Sequence, residues 1–175
     1  ANYGTHNELY LIERIEDNKG NLIYQHKDKS EEVLNKDNIY ILNEMMTSTY
    51  NPIFNDYMSP TILSLNSRLT KKYAIKSGTT NSDYLIVGYN PDIFMMVWAG
   101  NDYNENASSK YSSIIKNIWC DNVEYYLKDK ETSWYEPSDN IVAMPLDAIT
   151  GEYNPKSDKY TLFYFKKGSE PIFAN

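Results

Sequence analysis

Lys76-Ser77-Gly78-Thr79-Thr80 sets a lysine, hydroxyls and a glycine in an order that can build one wall of an acyl-transfer site. Tyr73-Ala74-Ile75 comes just before it, and two apolar runs, Tyr84 to Tyr89 and Ile93 to Ala99, follow. The pentapeptide therefore sits where one strand ends and a strand pair begins. A K-[ST]-G string arises by chance in roughly one chain in ten of this length. Taken alone, Lys76 is more simply an exposed strand-end lysine beside a glycine turn, so its surroundings must decide.

Those surroundings read as follows. Leu9 to Ile15 is expected as a strand, Asp17-Asn18-Lys19-Gly20-Asn21 as a turn and Leu22-Ile23-Tyr24 as the returning strand. Asn35 is placed to cap a helix with Ile39, Leu42, Met45 and Met46 on its apolar face, ending near Tyr50 ahead of Pro52. A short helix is expected after Pro60. The strand into Lys76 is followed by a hairpin turning at Asn90-Pro91-Asp92, whose second arm, Ile93 to Ala99, is apolar enough to be covered on both faces. Ser108 to Leu127 reads as a helix packing Ile114, Ile115, Ile118, Trp119, Val123, Tyr126 and Leu127 on the sheet, with Cys120 as a small buried hydrophobe. Tyr84, Tyr89 and Trp98 are expected in the core or the cleft wall. After Lys130 a polar linker, Glu131 to Ser138, leads to short strands at Ile141 to Met144 and Tyr160 to Phe165. These are too few to bury a core alone. Two parts result: a main unit over 1–130, and a linker with a small β extension over 131–175.

Composition excludes several classes of function. The chain has 175 residues, 41% hydrophobic and 23% charged, with a net charge of −7. That acidity argues against nucleic acid and against polybasic membrane docking, both of which need dense positive surface. Lys71-Lys72 and Lys166-Lys167 are read as solvated pairs. One cysteine and two separated histidines allow neither an internal disulfide nor a thiolate or HExxH metal site, so no cofactor and no metal are expected. No run of about 18 apolar residues spans a membrane. The amino terminus lacks the features of a signal peptide, so either the protein is soluble throughout or its targeting segment is expected upstream.

The order of these stretches resembles the second half of a penicillin-binding protein transpeptidase domain, most closely the class A, bifunctional type. Ala1-Asn2-Tyr3-Gly4-Thr5 is similar to the family's A-N-x-G-T, and Ile15 to Tyr24 to the hairpin that follows it. Lys76-Ser77-Gly78-Thr79-Thr80-Asn81 resembles K-T-G-T-T-N, one of three motifs shared with serine β-lactamases. Val87 to Asp92 resembles V-G-Y-T-P-D and Val97 to Asp102 resembles V-W-V-G-x-D. Ile118-Trp119 falls where the family has its I-W helix, and Phe165 to Pro171 resembles F-x-x-G-[TS]-E-P. The resemblance implies an α+β fold: an antiparallel sheet flanked by helices, with a small β appendage.

It also implies roles. Lys76 and Thr79 become the catalytic candidates, and Lys76, Ser77, Gly78, Thr79 and Thr80 the substrate-binding set. Lys76 would be a fixed cation favouring the terminal carboxylate of a D-alanyl-D-alanine stem peptide or a β-lactam. Ser77 would shape the strand and Gly78 would leave room for substrate backbone. Thr79 would give its N–H to the oxyanion and its hydroxyl to the carboxylate. Thr80 and Asn81 chiefly shape the loop, which is about two residues shorter than the family's. The family's nucleophile, in S-x-x-K, and its S-x-N element both precede the hairpin and are not assigned in this chain. Ser64-Leu65-Asn66 matches S-x-N only as a string, in the wrong place. The chain is thus expected to be part of a membrane-anchored transpeptidase acting outside the cytoplasm. Its partners would be an upstream segment and other cell-wall synthesis proteins, and its parent would carry a glycosyltransferase domain. A non-catalytic transpeptidase-like binding module and a serine β-lactamase or D,D-carboxypeptidase fragment are the alternatives. A half-domain of this kind should expose a sheet edge and an apolar face and be poorly soluble alone.

Overall fold

The structure, a computed structural model, describes residues 1–154 and 156–172. Residue 155 and residues 173–175 of the C-terminal extension lie outside them. At its centre is a three-stranded antiparallel sheet of β5 (Ala74–Thr79), β6 (Asp83–Asn90) and β7 (Ile93–Gly100), in that order. Ahead of it come two small antiparallel pairs. One joins β1 (Thr5–Asn7) to β4 (Ser30–Glu32), and the other joins β2 (Arg14–Glu16) to β3 (Leu22–Gln25). Asp17 closes the β2–β3 turn, accepting the amides of Lys19 and Asn21, both at 2.8 Å.

The expected strand from Leu9 to Ile15 shrinks to Arg14–Glu16. Leu9 and Leu11 are fully exposed, so no packed face rewards extending the ladder through them. The β1–β4 pair had no sequence signal, its arms being polar and far apart in the chain.

Helix α1 (Lys36–Thr47) starts where Asn35 predicts, its side chain accepting from the amides of Asp37 and Asn38. Its covered face differs from the expected one. Tyr40, Asn43 and Glu44 are buried, while Leu42 and Met45 are exposed. The helix lies over β5, and its polar groups meet partners there: the Tyr89 hydroxyl donates to Asn43 Oδ1 at 2.9 Å. Lys72 contacts both Glu44 carboxylate oxygens, at 2.7 and 2.8 Å, and stands 4.5 Å from the centre of the Trp134 ring. Lys72 is thus exposed but paired, because the nearly buried Glu44 needs a cation. Short helical turns at Pro52–Phe54, α2 (Asn55–Met58) and Leu63–Leu65 carry the chain around to β5.

Helix α3 (Lys110–Leu127) covers the other face of the sheet. Ile115, Trp119, Cys120, Val123 and Leu127 are buried against Tyr73, Ile75 and Ile86. Ile114, Ile118 and Tyr126, expected in the same stripe, are exposed, since one sheet face covers only one side of a helix. Gly88 is required here: a Cβ on it would lie 2.3 Å from Trp119 Cζ2.

Strand β7 is likewise covered on one face only. Ile93, Met95, Val97 and Ala99 pack toward α3, whereas Phe94, Met96 and Trp98 are 60%, 58% and 52% exposed. Because α1 lies over β5, the opposite face of β7 stays uncovered among the described residues. Among the described residues a sheet edge and an apolar face are thus both bare. Trp98 is accordingly outside the core, while Tyr89 is within it and Tyr84 packs at its margin.

The extension forms a hairpin of β8 (Ile141–Asp147) and β9 (Tyr160–Lys166). Edge-on aromatic pairs, Tyr40 with Tyr164 and Phe54 with Phe163, seat it on α1 and the turn after it. Asp37 of α1 accepts from Ser138 and Asn140 at 2.6 and 2.9 Å.

Candidate active site on the open edge of β5

Strand β5 is an edge strand, so half of its main-chain groups have no ladder partner. Thr80 donates its amide to the Asp83 carbonyl at 2.9 Å, making Thr80 and Asp83 a hydrogen-bonded pair. Such pairs alternate along an antiparallel ladder. With Gly78 opposite Leu85 and Lys76 opposite Val87, the amides and carbonyls of Lys76 and Gly78 point toward β6. Those of Ser77 and Thr79 point off the sheet. The same alternation sends Tyr73 and Ile75 outward, and both find partners on the segment after α1. Thr49 Oγ1 lies 3.0 Å from the Ile75 carbonyl, with the Met46 carbonyl at 2.9 Å as its other acceptor. The Tyr50 hydroxyl donates to the Tyr73 carbonyl at 3.1 Å and accepts the Tyr73 amide at 3.3 Å.

The five expected site residues are therefore contiguous on one exposed edge. Lys76 Nζ donates to the Ser77 carbonyl at 2.6 Å, which fixes a positive charge beside the open stretch. Ser77 Oγ donates to Thr61 Oγ1 at 3.0 Å, and the Thr61 carbonyl is held by Lys116 Nζ of α3 at 2.9 Å. Burial pushes the Lys116 ammonium below its ordinary pKa. Gly78 has no internal reason to be glycine: a Cβ there would meet Leu85 Cβ at 3.6 Å, an ordinary contact. The room it leaves opens outward.

Beyond Thr79 the short turn is stiffened by Asp83. Its carboxylate accepts from Thr80, Ser82 and Trp98 at 3.0, 2.6 and 3.1 Å. Those hydrogen bonds, Ser82's the strongest, hold the Asp83 carboxyl below its ordinary pKa. The Ala107 amide donates to the Asn81 carbonyl at 2.9 Å and ties the following loop to the same turn. Thr61, Asp83 and the pair Thr49/Tyr50 escaped the sequence reading. A signal exists for Asp83, three residues after Thr80 in a turn rich in hydroxyls; the others meet β5 only through the fold.

The sequence does contain one S-x-x-K string, Ser113-Ile114-Ile115-Lys116. It lies on α3, after the lysine strand rather than before the hairpin. Ser113 Oγ donates to the Lys110 carbonyl of its own helix at 3.0 Å, while Lys116 is engaged by Thr61. The two are not joined as nucleophile and base. Ser64-Leu65-Asn66 lies in the turn beneath α3, with Leu65 in the core. Among the described residues no cluster of His, Cys, Asp and Glu could hold a metal, and no helix is long and apolar enough to cross a membrane.

Comparison with known proteins gives this geometry its context. The chain is 33% identical over 173 residues to penicillin-binding protein 2D of Bacillus subtilis (strain 168), an alignment covering 98% of this chain and 25% of that protein. It is 27% identical over 182 residues to penicillin-binding protein 1A of Aquifex aeolicus (strain VF5), covering 98% and 23%. The chain is homologous to penicillin-binding proteins over nearly its whole length. No protein-family model matches it. Penicillin-binding protein 1A from Haemophilus influenzae shares the fold, with a TM-score of 0.74 at 18% identity over 99% of this chain and 31% of that one. The α+β architecture is thus shared with part of penicillin-binding protein 1A. The chain spans about a quarter of the length of penicillin-binding proteins 2D and 1A.

Proposed function

We propose that this chain supplies the lysine-strand wall of a peptidoglycan D,D-transpeptidase of the bifunctional, class A type. The nucleophilic serine would lie on an upstream segment. The observation that carries the reading is the edge of β5, where the main-chain groups of Ser77 and Thr79 face outward without a ladder partner and the Lys76 ammonium rests on the Ser77 carbonyl. An extended acyl-donor peptide adds to such an edge as a further strand. Its penultimate D-alanyl carbonyl would rest on the Thr79 N–H, one of two oxyanion donors. Its terminal carboxylate would lie toward Lys76 and the hydroxyls of Ser77 and Thr79.

The upstream serine oxygen attacks that carbonyl, the C–N bond breaks, and D-alanine leaves with the serine's proton. An amine of a neighbouring stem peptide then attacks the acyl-serine and restores the hydroxyl, leaving a new amide cross-link. β-Lactams, whose carboxylate mimics the peptide terminus, would acylate the same serine. Gly78 keeps the peptide's path clear and Asp83 holds the rim in shape. The bare edge of β7, with Phe94, Met96 and Trp98, fits the docking of the upstream segment, which would also carry the membrane anchor on the extracytoplasmic side. The parent would contain a glycosyltransferase domain as well.

Fluorescent-penicillin labelling on a denaturing gel tests the proposal, using this chain alone and with the upstream polypeptide. The expected result is covalent label on the upstream polypeptide, abolished by Lys76→Ala here. Label on the 175-residue chain itself, lost in Ser113→Ala, would move the nucleophile to α3. No label in either combination would leave a non-catalytic binding module.

A further inference from the structure

We propose that Thr61 is a positioning residue for the substrate carboxylate: its hydroxyl, held in place from α3, turns the Ser77 hydroxyl toward that group. The inference rests on the transpeptidase reading above and adds to it a residue outside the lysine strand. Side chains alternate along β5, so Ser77 shares a face with Tyr73 and Ile75, which pack against α3. There Ser77 Oγ donates to Thr61 Oγ1 at 3.0 Å. A carboxylate only accepts, and a serine has one proton to give. When Ser77 turns that proton to the carboxylate, its contact with Thr61 survives only with Thr61 as the donor. Each oxygen keeps its own proton, and rotation about two C–O bonds makes the change. In the resulting chain Thr61 donates to Ser77 and Ser77 donates to the carboxylate, and each hydrogen bond polarises the next.

The fold fixes Thr61 for this task. Its carbonyl accepts from Lys116 Nζ of α3 at 2.9 Å. The amide of the next residue, Ile62, donates to the Thr49 carbonyl at 2.8 Å, and the Ile62 side chain is fully buried. Thr61 itself is exposed, so its hydroxyl has no packing role in the core. Among the described residues that hydroxyl accepts from Ser77 and its own proton meets no acceptor, which leaves the proton available for the reversed direction.

The experiment uses the full-length protein and two probes: benzylpenicillin, and its methyl ester, which keeps the reactive ring but lacks the anionic carboxylate. Second-order acylation rate constants are measured for wild type, Thr61→Val, Thr61→Ser, Lys116→Met, Ser77→Ala and Thr61→Val/Ser77→Ala. In Thr61→Val the ratio of the benzylpenicillin constant to the ester constant should fall about fivefold. Thr61→Ser should restore the ratio, because it returns the hydroxyl. Lys116→Met, which frees the Thr61 carbonyl without touching β5, should lower the ratio by a smaller factor. Adding Thr61→Val to Ser77→Ala should change nothing further, because Thr61 acts only through Ser77. An unchanged ratio in Thr61→Val, equal loss on both probes, or losses that multiply in the double variant would overturn the inference alone. Wild type unlabelled by either probe would overturn the transpeptidase reading and this inference with it.

Discussion

The central sheet has two edges, and they are bare in different ways. On β5 the open stretch is short, polar and bounded: Thr49 and Tyr50 close one end, the Asp83-braced turn closes the other, and Gly78 lies between. On β7 the edge is unpaired among the described residues and flanked by Phe94, Met96 and Trp98. An edge that offers a few main-chain groups beside a charge suits a small peptide. One that offers a long apolar strand suits another piece of protein, because only a large partner recovers the hydrophobic area. The contrast in what would occupy each edge is the basis of the proposed division between catalytic wall and docking face.

The sharpest test of that contrast is Lys76→Ala. Penicillin acylation of the full-length protein should fall at least about a hundredfold, while the exposed side chain leaves stability within about 0.5 kcal/mol. Stopped-flow acylation and thermal unfolding read the two effects separately, and a large loss of stability would mean that β5 needs its lysine for folding.

Two glycines come next. Gly88→Ala forces a methyl into the Trp119 ring and should cost about 1–3 kcal/mol in denaturant unfolding. Gly78→Ala should leave the unfolding midpoint in place and slow acylation about tenfold or more, since the added methyl would lie in the proposed path of the substrate. Equal effects of the two substitutions on stability would remove the distinction between an internal and an external need for glycine.

On β7, Phe94→Lys with Met96→Lys should raise the concentration at which the isolated 175-residue chain sediments as a monomer, with little change in its stability. The same pair should weaken association with the upstream polypeptide. A wild-type chain that is monomeric at high concentration would break the reading of β7 as a docking edge.

The smallest effect concerns pH. Asp83 is held below its ordinary pKa by its hydrogen bonds, so its support of the turn is fully present above about pH 4. That support is lost only as pH falls through the depressed folded value. The Thr80 amide resonance should therefore be flat from pH 5 to 8 and move only in acid, whereas Asp83→Asn should abolish the acid transition.

Much of this was legible in the residues. The K-S-G-T strand, its hairpin, the Asn35 cap and the α3 helix appear where the local pattern put them, because caps, turns and strand periodicity are settled over a few residues. The faces were less legible. For α1 the apolar stripe pointed to Leu42 and Met45, yet Asn43 and Glu44 are buried, since polar residues find partners on Tyr89, Lys72 and Trp134. For β7 an unbroken apolar run pointed to two covered faces, and the structure covers one.

What this sequence determined by itself is the chemistry at hand and its order along the chain: a lysine, hydroxyls and a glycine on one strand, between helices and hairpins in a family's sequence. Periodicity names the residues that share a face, but it cannot say which face meets a neighbour. Only the tertiary structure decided that Ser77 and Thr79 look outward while Ile75 and Tyr73 are closed. That choice depends on the register with β6 and on two side chains more than twenty residues away. Such contacts leave no local signature, because their energy is realised only when distant segments meet.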